Sequence, residues 1–216
     1  MLPLRLLVAL LLVVSALVQA QQPVCVTGRL EAVPGPTICQ QGETHLLADT
    51  GIYLRPVNSM LSPYEGQVVQ VTGVQVGLLC NVMDVLQVQP APTQLVQCGT
   101  PAPGCAMRLT AIGPGIGFAM IAISNSVGFL PFSCNPTTGI EGTLLLASPA
   151  ELLAAGSTGT GTLSHNFTVP SSNSLIGVSV VFQGAHATIG PAGPLTITNI
   201  ESVTIIGQLF CQPPNC

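Results

Sequence analysis

Helical periodicity is scarce along this chain. In its place, short apolar runs rich in Val, Ile, Leu and Thr recur, separated by Gly, Pro, Asn and Ser. Runs of four to ten residues with period-two patterning, closed by turn formers, are the signature of strands, so the chain reads as all-β. The 19 prolines and 23 glycines fall mostly between the runs, where turns require them.

The runs divide into two groups. Pro90-Ala91-Pro92 and Gly99-Thr100-Pro101-Ala102-Pro103-Gly104 bracket Cys98, which places a linker at 99–104 between a first domain, 21–98, and a second, 105–210. Five strands are expected in the first, at 26–33, 44–48, 52–56, 67–76 and 81–88. In the fourth, Val69 and Val71 alternate with Val68, Gln70 and Thr72. The second domain offers strands at 107–112, 118–125, 142–147, 161–169, 177–183 and 195–206, a spacing that suits a sandwich or barrel.

Two resemblances refine this reading. Gly28-Arg29-Leu30, Asp49-Thr50-Gly51-Ile52-Tyr53-Leu54 and Glu65-Gly66-Gln67-Val68-Val69-Gln70-Val71-Thr72-Gly73 resemble the small OB-fold barrels of exported bacterial proteins. Pro170-Ser171-Ser172-Asn173-Ser174-Leu175-Ile176-Gly177 with 178–183 resembles a C-terminal β-sandwich module that recurs in exported proteins of some environmental bacteria. Ser124-Asn125, the Cys134 loop and Thr198-Asn199 fit the same module. These resemblances imply a small OB-like five-stranded barrel followed by a β-sandwich domain, with no activity attached to particular residues.

Residues 1–20 read as a secretory signal, with Arg5 supplying the charge, 6–18 a nearly unbroken apolar stretch, and Val18-Gln19-Ala20 the small residues of a cleavage site. The apolar stretch is shorter than the roughly 20 residues of a membrane span, and no later segment is long and apolar enough to cross. The expected location is therefore secreted, extracellular or periplasmic. Removing the signal takes away one of four basic residues and leaves three arginines against eight carboxylates, a net charge of −5.

Eight cysteines in an exported chain point to four bridges, although 105 pairings are formally open. Bridges local to each domain strain the chain least. They are Cys25 with Cys98, Cys39 with Cys80, Cys105 with Cys134, and Cys211 with Cys216 closing a tail at 211–216, with Cys98–Cys105 as the main competitor.

Charge poverty narrows the function. Single-stranded nucleic acid needs a basic groove with stacking aromatics, and the barrel holds only Arg29, Arg55, Tyr53 and Tyr64, so no nucleic acid is expected. His45, His165 and His186 are scattered, which implies no metal or other cofactor. Gly113-Pro114-Gly115-Ile116-Gly117 and Gly156-Ser157-Thr158-Gly159-Thr160-Gly161 lack the Gly-Lys-Ser/Thr and following helix of a phosphate loop and read as turns. Asp49-Thr50-Gly51 resembles the catalytic loop of aspartic proteases, yet it reads first as a hairpin turn, and a hydrolase would require a second carboxylate from a homodimer. Asn166-Phe167-Thr168 is a formal glycosylation acceptor. The expectation is a non-catalytic protein with an interaction or surface-structural role, whose partner is a protein or glycan at the cell surface. The alternatives are a small-ligand or glycan site around Tyr53, Arg55 and Tyr64, and a homodimeric aspartic-type hydrolase using Asp49.

Overall fold

The computed structural model describes residues 23–35, 39, 42–76, 80–132, 134, 139–189, 194–208 and 210–214, so the signal segment 1–20 and Cys216 lie outside the described residues. The protein is all-β, in several sheets. Five strands, β1 (Val24–Ala32), β2 (His45–Leu47), β3 (Ile52–Pro56), β4 (Val68–Gln75) and β5 (Val82–Pro90), form a closed barrel in the order β1-β2-β3-β5-β4. Closure is possible because β1 is long enough to serve two neighbours. Its first part pairs antiparallel with β4, from Val24 opposite Gly73 to Arg29 opposite Val68, and its last residues pair with β2. β3 and β5 are parallel, with Arg55 opposite Asp84. Strand pleating sends Val26, Leu30, Leu47, Ile52, Leu54, Val69, Val71, Met83 and Val85 inward, all of them buried, so the barrel interior is filled by side chains.

The remaining strands are β6 (Gln94–Gly99), β7 (Ala106–Ile112), β8 (Gly117–Ser124), β9 (Val127–Pro131), β10 (Ile140–Glu141), β11 (Thr143–Leu146), β12 (Ala150–Thr158), β13 (Thr162–Thr168), β14 (Ser179–Thr188) and β15 (Leu195–Thr204). They form a five-stranded sheet, β10-β15-β14-β8-β12, a three-stranded sheet, β13-β7-β6, and the ribbon β11-β9. Leu95, Met107, Leu109 and Ala111 of the three-stranded sheet pack against Ala119, Ile121, Phe182 and Val203 of the five-stranded one, making a second core. The sequence reading puts residues 94–98 in the first domain and Gly99 in the linker. Their strand β6 instead pairs with β7, from Gln94 opposite Ile112 to Gly99 opposite Met107.

The two halves are built into each other. Leu145, Leu146, Val181 and Ile200 join the apolar cluster of the barrel. Cys25, Thr27 and Gln70 occupy outward positions on β1 and β4, yet each is nearly inaccessible, so the barrel wall is buried on both faces at the joint. Polar contacts across it are specific. The Thr143 hydroxyl donates to the Cys25 carbonyl, and the Gln70 side-chain amide donates to Glu141 Oε1 at 3.2 Å. Gln183 fixes the ribbon to the sheet by accepting from the Leu145 N–H at 2.8 Å and donating to the carbonyls of Thr143 and Thr198, both at 3.0 Å.

The bridges correct the expected pairing. Cys39–Cys80 forms as expected, but Cys25 pairs with Cys134 and Cys105 with Cys211. Cys98 is disulfide-bonded as well, and none of the described cysteines is a free thiol. Cys25–Cys98, Cys105–Cys134, Cys98–Cys105 and Cys211–Cys216 are therefore not formed. The reason is topological: local pairing assumed two independent domains, whereas β1 abuts the sandwich and the C-terminal segment returns to the start of β7. The Gln212 N–H, donating to Thr100 Oγ1 at 2.8 Å, holds that return.

Candidate functional site

The three side chains nominated from sequence do not converge. Tyr53 and Arg55 alternate with the buried Ile52 and Leu54 on β3, which puts them on the outer barrel face. Arg55 is committed there. Its guanidinium grips Asp84 on the adjacent strand in a fork, Nε to Oδ1 at 2.5 Å and Nη2 to Oδ2 at 2.7 Å, the geometry that fixes an arginine most firmly. Tyr64 ends the 3-10 turn Ser62–Tyr64 and packs against the barrel core. Four clefts among the described residues are lined by other side chains.

Asp49 is placed differently. Residues 48–51 form the turn between β2 and β3, with Asp49 at φ 63° and Gly51 at φ 69°. The buried Thr50 pins the turn, its hydroxyl donating to the Leu47 carbonyl at 2.7 Å and accepting from the Ile52 N–H at 3.0 Å. This is the hairpin chemistry expected of Asp-Thr-Gly, and Asp49 as a residue is exposed. Yet its tip touches the sandwich. Arg29, Glu31, Leu46, Ala48, Asp49, Ile200 and Glu201 line a polar cleft of about 420 Å³ between β1, β2 and β15. Loss of water raises the Asp49 pKa above the ordinary carboxylate value, against the Ser202 backbone N–H, which lowers it; Glu31 raises it further and Arg29 lowers it. Burial likewise raises the pKa of Glu201, which Arg29 lowers and Asp49 raises, and whose Oε1 accepts from Asn199 Nδ2 at 3.0 Å. Two partly desolvated carboxylates thus share one arginine at the joint. Their convergence spans 152 positions of sequence (201 minus 49), so local spacing carried no signal of it. No group of three or more His, Cys, Asp or Glu suited to a metal exists among the described residues.

The second notable surface is apolar. Ala119 and Ile121 of β8 face the inner core, so Phe118, Met120 and Ala122 face outward. Ala187, Ala185 and Gln183 lie beside them on β14, and Ser157, Ala155 and Leu152 on β12. The β9–β11 ribbon covers part of this face, leaving a cleft of about 190 Å³ lined by Met120, Ala122, Phe132, Leu144, Leu146 and Ile197, among others. The rest is open: Phe118 is 43% exposed and Leu152 64%, and just beyond the ends of β8 and β14 Ile116 is 61% and Ile189 70%. No charged side chain stands on these outward positions of β8, β12 and β14.

No protein-family model matches the chain, and neither the curated proteins nor the solved structures contain a significant match to it.

Proposed function

We propose that this chain is an exported, disulfide-stabilised interaction protein without catalytic activity, which docks a protein partner through the outer face of its five-stranded sheet. The observation that carries the reading is the open, charge-free apolar surface formed by Phe118, Leu152, Ile116 and Ile189. Phe118, Ile116 and Ile189 gather at one end of this face, where the Ile189 N–H donates to the Ile116 carbonyl, with Leu152 toward the other end. Exposed apolar faces of this kind often mark interaction sites in soluble proteins. The packed and disulfide-bridged joint between barrel and sandwich supports it, because a surface held in place before docking loses less entropy on binding. Within this reading the barrel is an OB fold: its strand order and the closure of β1 on β4 agree with that family. Pull-down from the extracellular fraction with wild-type protein and with Leu152→Glu tests it. Equal capture by both proteins, with the variant folded, would sink the proposal.

A second reading rests on the cleft holding Arg29, Asp49 and Glu201. An arginine between carboxylates offers both donors and acceptors to the hydroxyls of a glycan, and the paired carboxylates are also the groups a hydrolase would use. Glycan-array binding that Asp49→Asn abolishes favours the binding form, and turnover of a bound glycan favours the hydrolase. Silence in both assays removes this reading.

A further inference from the structure

The sandwich has a second, internal apolar space. At one end, a cleft of about 230 Å³ lies between Met107 and Phe167 of the smaller sheet and Val180, Phe182 and Val203 of the larger one. Every side chain lining it is apolar. It is larger than the roughly 150 Å³ apolar cavity that suffices to take up benzene.

The distinctive segment 170–177 lies across the mouth as a strap. One end is fixed where Val169 donates to the Cys105 carbonyl and accepts from the Gly104 N–H, both at 2.9 Å. The other is fixed where the Gly177 N–H donates to the Ile205 carbonyl at 2.8 Å and the Ile205 N–H donates to Val178 at 2.9 Å. Between these anchors the hydrogen bonds of the strap are its own: the Leu175 N–H to Ser172 at 3.1 Å, the Ile176 N–H to Asn173 at 3.2 Å, and the Ser174 N–H to Ser172 Oγ at 3.4 Å. The strap is set against the core by Leu175, which is half-buried and lines the cleft. Outside, Ile176 and Val178 are exposed and Ile176 lies against Gly207, beside the exposed Ile206, so apolar surface continues past the mouth.

We propose that this cleft holds the end of a hydrocarbon chain, the acyl tail of a fatty acid or lipid, with the 170–177 strap as its gate. A sugar or peptide would lose its hydration there without return, because no lining side chain donates or accepts a hydrogen bond. A linear tail fits both the pocket and its apolar rim. The pocket has room for a run of several methylenes, being larger than a cavity that holds benzene. The gate needs no strand to break, since among the described residues the strap is hydrogen-bonded to the sandwich only at its ends and is otherwise held by the side-chain packing of Leu175 and Ile176. This site is separate from the outer sheet face and does not depend on the docking role assigned to it.

The test is calorimetric titration of the disulfide-intact protein with saturated fatty acids of increasing length, kept below their micelle concentration. Affinity should rise about fourfold per added methylene and level off once the pocket is full. Val180→Phe, which fills the pocket, should weaken binding at least tenfold with an unchanged circular dichroism spectrum. Leu175→Ala should accelerate release of a fluorescent polyene fatty acid in stopped-flow displacement, and this variant decides the matter if Val180→Phe does not fold. Co-sedimentation with phosphatidylcholine vesicles identifies membrane lipid as the source of the chain, and uptake of free fatty acid without co-sedimentation identifies the free acid. The proposal is overturned by the absence of saturable binding at every chain length, or by binding that neither chain length nor either substitution alters.

Discussion

His186 shows how a single residue dictates the sequence around it. The residue is 1% exposed, with Nε2 3.3 Å from Thr158 Oγ1 and Nδ1 without a partner among the described residues. Two glycines make room for it: a Cβ on Gly113 would stand 2.2 Å from the ring, and one on Gly117 would stand 2.2 Å from the Ala187 carbonyl and 2.7 Å from the ring. The two ends of the glycine-rich stretch 113–117, Gly113 and Gly117, are thus close-packed on an imidazole, while 114–116 between them stand exposed. Gly113→Ala should therefore cost about 2–3 kcal/mol in a denaturant melt. Burial lowers the His186 pKa, so its neutral form is favoured in the folded state; stability is complete above the ordinary histidine value and is lost as pH falls below it. The gap in melting temperature between wild type and His186→Gln should narrow from about pH 7 to about pH 5. Asp49 and Glu201 carry the opposite sign. Their raised values make the folded state hold protons longer than the unfolded chain does, so their favourable contribution is full below the ordinary carboxylate range and is lost as pH rises through the raised values. Asp49→Asn, which keeps a residue tolerant of positive φ, should raise the neutral-pH melting temperature by about 1–2 °C.

At the scale of elements, Asn199 illustrates a role that composition conceals. On β15 it is 2% exposed, and its side chain takes both backbone groups of Leu95 on β6, accepting the N–H at 2.8 Å and donating to the carbonyl at 3.1 Å. Asn199→Leu should strand both groups in the core and cost about 2–4 kcal/mol, measured by thermal unfolding. The Thr-Asn pair was visible in the sequence as a mark of this strand, but its target was not, because the two partners are 104 residues apart. Strands rich in β-branched residues were legible for the same reason they are stable: β4 and β15 have stiff side chains that pack well on a pleated surface. β12 was not legible. Its Glu151-Leu152-Leu153-Ala154-Ala155 has weak strand preference, and it is held at the sheet edge by β8 with a bulge between Leu152 and Ala154. The carboxylate cleft stayed hidden because a hairpin tip met a strand from the far end of the chain.

For the molecule as a whole, the decisive feature is that the barrel and the sandwich share a wall. Sequence patterning marks the two groups of strands well, because each keeps its own alternation, but it carries no record of the surface between them. Cys25 and Thr27 have outward-pointing side chains and are buried only once the other half is present. The Cys25–Cys134 bridge closes a loop of 109 residues. Removing it with Cys25→Ala and Cys134→Ala together should cost about 4–5 kcal/mol by releasing unfolded-chain entropy, read as a fall in the denaturant midpoint. If the two halves then melted in separate transitions, the shared wall would depend on the bridge; a single transition would show that the wall alone couples them. The Cys105–Cys211 bridge has a consequence for biogenesis. Its two sulfurs are 106 positions apart in synthesis, and at ordinary elongation rates that is a wait of roughly 5–20 s. Throughout that interval the Cys105 thiol is present beside Cys25, Cys39, Cys80 and Cys98, none of which is its native mate. Reaching the native set in good yield therefore calls for slow oxidation or a shuffling catalyst, and a producing host without an isomerase should accumulate scrambled monomers.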